Sequence, residues 1–277
     1  MARVWIITGA SRGLGWAFAD AAATSGDTIV STARNTGMLA ELAKTHGERI
    51  VPMTLDVNSK ADCDALVAEV IKRFGKIDIL VNNAGYGLRG AIEEVTENQV
   101  RDQMETNFFG AFWMTQAVLP HMREAKAGHI LQISSMGGQI ALPGLGAYHA
   151  SKWALEGFTE SLVQEVGPFG IKVTIVEPGG FRTDWGGSSM THATQMQVYG
   201  HLPGRNPNAP RGLAGGDPVK GAAALMQVVN SPEPPLRAVF GVRAFDMVQE
   251  AYHRRLAEWD KWKVLARSTE WEEPAKG

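Results

Sequence analysis

Short apolar runs alternate along the chain with longer stretches whose apolar positions recur every three or four residues. Val4–Thr8, Thr28–Ala33, Ile50–Leu55, Ile77–Val81, His129–Ser134 and Lys172–Glu177 read as strands, apolar nearly throughout. Between them Trp16–Ser25, a segment around Met38–Thr45, Lys60–Phe74 and the long stretch from Glu97 to Glu124 carry the helical repeat. In Lys60–Phe74, for example, Leu66, Val67, Val70 and Ile71 share one face. Uniformly apolar strands separated by helices predict a parallel sheet covered on both faces.

With right-handed crossovers this is a single α/β domain, a doubly wound, Rossmann-type sheet spanning residues 1–277. The alternation breaks after Pro178. Residues 185–216 are rich in Gly, Pro, Ser and Asn, and so long a run without a repeat predicts a structureless segment, either a lid or disordered. Asp217-Pro218 then reads as an N-cap followed by proline at the first helical position, opening a helix to about Val229. Ser231–Pro235 is a turn, Leu236–Phe240 a last strand, and Phe245 to Arg267 a final helix with a frayed tail from Ser268.

Composition narrows the function classes. The 277 residues suffice for a large core, and 44% hydrophobic with 20% charged residues is ordinary for a globular protein. A net charge of −2 gives no general reason to bind nucleic acid or an anionic membrane. The only cysteine, Cys63, lies in Asp62-Cys63-Asp64, reads as an incidental helix residue, and excludes an internal disulfide. Met1-Ala2-Arg3 runs straight into a strand, and no apolar run approaches a membrane span. The expected location is cytoplasmic.

Thr8-Gly9-Ala10-Ser11-Arg12-Gly13-Leu14-Gly15 follows the first strand and opens the first helix. Glycines there allow a sharp turn and a close approach of amide N–H groups and the helix N-terminus to a pyrophosphate. The spacing is Gly-x-x-x-Gly-x-Gly, so the strand–turn–helix context carries the nucleotide reading. Enzymes that use NAD place a carboxylate about 20 residues further on, against the ribose 2′-OH. Here that place holds Thr32-Ala33-Arg34, with no acid. Arg34 and Arg12 offer guanidinium groups to a 2′-phosphate, which favours NADP(H).

A second group of residues handles protons. Tyr148 and Lys152 are four apart in a helical segment, so both side chains lie on one face. An ordinary phenol titrates near pH 10; an ammonium beside it favours the phenolate and lets it exchange protons. Ser135, at the end of the fifth strand, can hold a substrate oxygen.

Together these motifs resemble the short-chain dehydrogenase/reductase family, over residues 3 to 183. The glycine turn is joined by Asn82-Asn83-Ala84-Gly85, Asn107, Ser135, the Tyr148/Lys152 pair, and Pro178-Gly179 with Thr183. The resemblance implies Tyr148 as acid/base, Lys152 as the group that lowers its pKa and binds the nicotinamide ribose, and Ser135 as the residue orienting the carbonyl or hydroxyl. Asn107 would hold a water linking Lys152 to solvent. Asp56-Val57 matches the adenine contact, and Asn83, Ala84 and Gly85 the adenosine-ribose side. Pro178, Gly179 and Thr183 match residues facing the nicotinamide, whereas Asn82 would stabilise the sheet. Asn-Asn-Ala-Gly-Tyr-Gly and Ser-Lys-Trp-Ala-Leu-Glu-Gly are similar to the hydroxysteroid and retinol dehydrogenase branch. A homodimer or homotetramer through the two apolar helices, with Phe108, Phe109, Phe112, Trp113, Trp153 and Phe158, is also implied. The domain would divide into a catalytic core (1–183), a substrate loop (184–216) and a C-terminal helix–strand–helix (217–277).

The expected reaction interconverts a ketone or aldehyde and an alcohol. Leu142, Leu145, Tyr86, Trp185, Met190 and Met196 are candidates to line an apolar pocket. His149, His192 and His201 lack metal-ligand spacing, and no metal site is expected. The alternatives are an NAD-dependent alcohol dehydrogenase on the same fold and a non-catalytic nucleotide sensor, which would typically lack the Tyr or the Lys.

Overall fold

Val4 and Ile6 point to one side of their strand and Trp5 and Ile7 to the other, and all four are buried. A strand dry on both faces must be central. In the computed structural model, which describes residues 2–187, 189–203, 205 and 215–271, β1 (Val4–Ile7) pairs in parallel with both β2 (Thr28–Ala33) and β4 (Ile79–Asn82). β3 (Ile50–Thr54) forms one edge, and β6 (Gly128–Ile133), β7 (Ile171–Pro178) and β9 (Arg237–Phe240) extend the other. The order β3-β2-β1-β4-β6-β7-β9 reverses direction beside β1, so a crevice opens at the carboxyl ends of β1 and β4.

Helices cover both faces. Against Trp5, Ile7 and Ile29 pack Phe18, Ala19 and Ala22 of α1 (Gly13–Thr24), Leu39 and Leu42 of α2 (Gly37–His46), and Ala222 and Leu225 of α7 (Pro218–Asn230). Against Val4, Ile6 and Val30 pack Leu66, Val67 and Val70 of α3 (Lys60–Phe74), Met114 and Val118 of α5 (Gly110–Ala125), and Leu162 of α6 (Gly146–Val166). Cys63 is fully buried in this second layer and so belongs to the core, not to a polar surface.

The stretch from Glu97 is helical throughout, as expected, with α4 (Glu97–Met104) joined to α5 through a π-helical turn, Glu105–Phe109, the widened geometry that often marks functional positions. Two expectations need correction. The final helix breaks at Trp262 into α8 (Val242–Lys261) and α9 (Lys263–Arg267). The segment after 184 is not structureless where it is described. Thr191–His192 (β8) pairs in parallel with Leu88–Arg89 (β5), and single helical turns form at Asp184–Gly186 and Gln197–Tyr199. Residues 206–214 of that segment, and the tail from 272, lie outside the described residues.

Candidate active site

Backbone shape builds the nucleotide side of the crevice. Gly9 has φ +64°, and a Cβ there would lie 2.8 Å from Ala84 Cα, so only glycine lets the turn sit against the chain leaving β4. A Cβ on Gly15 would lie 2.6 Å from the Gly9 carbonyl oxygen and closer still to the Asn83 amide. Asn83 braces this turn: its Nδ2 donates to the carbonyls of Thr8 (2.9 Å) and Gly9 (3.0 Å). The backbone N–H groups of Asn83 and Ala84 donate to Thr8 Oγ1 at 2.9 and 3.0 Å. Asn82 stabilises the sheet as expected, its Nδ2 donating to Ala111 O, Thr115 Oγ1 and Gln132 Oε1.

Around this turn runs a cleft of about 620 Å³. Gly9, Ser11, Arg12, Gly13, Leu14 and Gly15 line it at the start of α1; Arg34, Asp56 and Val57 at the ends of β2 and β3; and Asn83, Ala84 and Gly85 after β4. Pro178, Gly179 and Thr183 close the far side after β7. Residues separated by 170 positions thus share one wall system. Asn107 stands apart, buried behind the lining.

Ser135, Tyr148 and Lys152 meet at the inner end of this cleft. Ser135 is fixed by the turn it starts: its Oγ accepts from Gly137 N (3.0 Å) and donates to Pro178 O at 3.4 Å. Tyr148 and Lys152 rise from α6 on one face, both buried, with Lys152 Nζ 6.0 Å from the Tyr148 ring centroid. Lys152 Nζ donates to Ile133 O at 2.8 Å. Asn107 projects from the π-helical turn, donating through Nδ2 to Tyr86 O (3.0 Å) and Ser151 Oγ (3.1 Å) and accepting at Oδ1 from Tyr86 N. It therefore knits the post-β4 segment to α6.

The electrostatics differ from expectation. Burial pushes Tyr148 up to about 12, and only the hydrogen bond from Ser135 acts downward. Burial pushes Lys152 down to about 8, against the opposing charge of Glu156. Desolvation outweighs any help from the ammonium to the phenolate, because Lys152 faces the Ile133 carbonyl and the phenol sits in an apolar wall. At neutral pH the Tyr148 phenol therefore keeps its proton.

The expected apolar lining is found only in part. Tyr86, Leu142, Leu145 and Trp185 line the cleft, and the Trp185 ring meets Tyr148 edge-on at 5.2 Å. Met190 instead packs under Gly87, and Met196 is exposed away from the cleft. His149, which lacks metal-ligand spacing, is structural in a specific way. Its Nδ1 pairs with Gly137 O and its Nε2 accepts from Leu142 N, both at 2.9 Å, which shapes the loop bearing Ser135 and Leu142. Burial holds its pKa below the ordinary imidazole value, as that acceptor role requires.

Glu94 is a further residue that sequence reasoning missed. It accepts from Ala91 N and Met196 N at 2.7 Å and pairs with Arg205 through both guanidinium nitrogens. The Arg205 bond holds its carboxyl down to about 2. One carboxylate thus anchors the segment beyond β8. Nothing in the local pattern of Glu93-Glu94 distinguishes it from a solvated acidic pair.

A dinucleotide-type crevice at a topological switch point, lined by Ser135 with buried Tyr148 and Lys152, defines an oxidoreductase architecture. A model of the short chain dehydrogenase family matches residues 3–193, and the chain belongs to that family. It is 41% identical over 270 residues to an oxidoreductase, BOA17, from Botryotinia fuckeliana, covering 96% of this chain and 98% of that one. A solved short-chain dehydrogenase from Streptomyces avermitilis superposes with TM-score 0.92 at 41% identity, covering 98% of this chain and all of the other. A serine dehydrogenase complexed with NADP+ superposes with TM-score 0.75 at 26% identity, over 86% of this chain and 94% of that one. No helix among the described residues is long and apolar enough to cross a membrane.

Proposed function

We propose that the protein interconverts medium-sized apolar ketones or aldehydes and the corresponding alcohols, using NADP(H). The observation that carries this reading is that Ser135, Tyr148 and Lys152 line the same cleft as Arg12 and Arg34. The cleft fits such a cofactor in two respects. Gly9 and Gly15 leave backbone where any Cβ would collide, and Arg34 follows β2 directly where no acid stands, with Arg12 lining the same cleft. The NADP+ in the serine dehydrogenase relative agrees with that cofactor class.

Gly9 to Gly15 would hold the pyrophosphate, Arg12 and Arg34 the 2′-phosphate, and Asp56, Val57 and Asn83 to Gly85 the adenosine side. Lys152, Pro178, Gly179 and Thr183 would face the nicotinamide end. When bound, the cofactor supplies the hydride. Tyr148, protonated throughout the physiological range, donates its hydroxyl proton to the carbonyl oxygen. Ser135 donates a hydrogen bond to the same oxygen as negative charge develops there. Lys152, kept near Asn107 through the Gly85–Tyr86 backbone, replenishes the proton. Leu142, Leu145, Tyr86 and Trp185 favour an apolar group on the carbonyl carbon.

Half-buried Phe108 and Phe109 of the π-helical turn, Phe112 and Trp113 of α5 and Phe158 of α6, with their rings in contact, support a homodimer or homotetramer through these helices. A monomeric elution profile at micromolar concentration would remove that part. A lone buried thiol suits a reducing, cytoplasmic setting. The reaction is tested by following loss of reduced-nicotinamide absorbance with a panel of ketones, aldehydes, sterols and retinoids, using NADPH and NADH side by side. Turnover preferring NADPH is expected; preference for NADH would transfer the reading to the NAD-dependent alternative, and binding without any turnover to the sensor.

A further inference from the structure

Behind Lys152, on the side away from the cleft, lies a charged cluster that the reaction above does not use. Glu156 follows Lys152 by one helical turn on α6, and both are buried, 5% and 6% exposed. Facing it are Glu177, fully buried on β7, and Arg237 on β9. Arg237 Nη2 lies 2.8 Å from Glu156 Oε2 and 2.7 Å from Glu160 Oε1, and its Nε lies 3.1 Å from Glu177 Oε1. Gln139 donates to Glu177 Oε1 at 2.7 Å and accepts from the Tyr252 hydroxyl of α8.

Three buried oxygens in this cluster, Glu156 Oε1, Glu177 Oε2 and Ser134 Oγ, have no hydrogen-bond partner among the described residues. Glu156 Oε1 and Ser134 Oγ crowd the same point, each 2.6 Å from where a Cβ on Gly138 would be. Two carboxylates in so dry a place, with one guanidinium between them and a third acid half in water, do not both ionise freely. One proton held by the pair relieves the repulsion between them.

We infer that Glu156 is a positioning residue for the reaction: sharing one proton with Glu177, it supplies the buried negative charge that keeps Lys152 an ammonium. This rests on the reading of Lys152 given above. The groups facing the pair are Lys152 and Glu160 from α6, Glu177 from β7, Arg237 from β9 and Tyr252 from α8 through Gln139. Of these, Lys152 and Arg237 are cations, and Arg237 is already engaged by three acids. The electrostatic directions agree. Glu156 acts upward on Lys152, whereas burial and the neighbouring Glu156 push Glu177 up to about 7. Lys152 therefore loses its charge at lower pH once the Glu156 charge is removed.

The test is the pH profile of turnover in Glu156→Gln, an amide that retains an acceptor for Arg237. Its basic limb is expected to move acidward by roughly one pH unit, and Glu156→Asp to bring it part of the way back. A Glu156→Gln profile superimposable on that of the wild type, in protein with unchanged circular dichroism, overturns the inference. A second measurement does not depend on turnover or on the folding of that variant. The infrared carbonyl stretch of a protonated carboxylic acid should be present near neutral pH in the wild-type protein and lost in Glu177→Gln. A wild-type spectrum with no such band also overturns the inference. If no carbonyl is ever turned over, the proposed reaction fails while the infrared band still decides the carboxyl pair.

Discussion

The crevice has two sides built in different ways. The nucleotide side, from Gly9 to Gly85, is shaped by backbone: a positive φ at Gly9, glycine-to-backbone approaches below 3 Å, and Asn83 and Thr8 bonding main-chain groups. The segment beyond Thr183, whose Asp184, Trp185, Gly186 and Ser189 line the same cleft, is held by side chains. Glu94 reaches to Met196 N and Arg205, Tyr199 donates to Glu93 Oε2 at 2.6 Å, and Arg89 donates to Pro203 O at 3.2 Å. Backbone geometry tolerates almost no change in the residues that impose it. Side-chain anchors can be exchanged, so the second side can vary without disturbing the first.

The sharpest way to break this contrast is Gly9→Ala. The new Cβ meets Ala84 Cα in a backbone conformation that L residues rarely adopt, at a cost of about 2–4 kcal/mol. A thermal melt should show that loss together with a collapse of NADPH affinity. An unchanged melting temperature and affinity would mean that the turn is not rigid. Next in size, Arg34→Asp should move the NADPH-to-NADH selectivity about 10- to 100-fold toward NADH, the worth of one charge-assisted hydrogen bond. Equal selectivity before and after would place the 2′-phosphate elsewhere. The smallest effect is expected on the side-chain-built wall. Glu94→Gln frees Arg205, which rides on a surface segment, so KM for the carbonyl should rise several-fold while kcat and NADPH affinity stay within about twofold. A large fall in kcat there would show that the two sides are coupled.

The same contrast governs what could be read from the chain. The alternation of strands and helices, the glycine turn and the Tyr148/Lys152 face follow from local periodicity and spacing, and the structure brings Arg12, Arg34, Asp56, Ser135 and Thr183 to one cleft. The β5–β8 pairing was not legible, because two-residue strands about a hundred positions apart carry no repeat. For the same reason Met190 and Met196 were placed in the pocket, since apolar character alone does not say which way a loop residue points. The direction of the Tyr148 shift was misjudged because spacing reports the nearby ammonium but not the desolvation that outweighs it. His149 and Glu94 look like surface residues until their long-range backbone partners are known.

The proton donor carries the whole account, and Tyr148→Phe tests it with two measurements on one preparation. NADPH binding, followed by fluorescence, should stay within a few-fold of wild type, and carbonyl turnover should fall by about 10²- to 10⁴-fold. Turnover near that of the wild type, with binding intact, would contradict the assignment of Tyr148 as the acid.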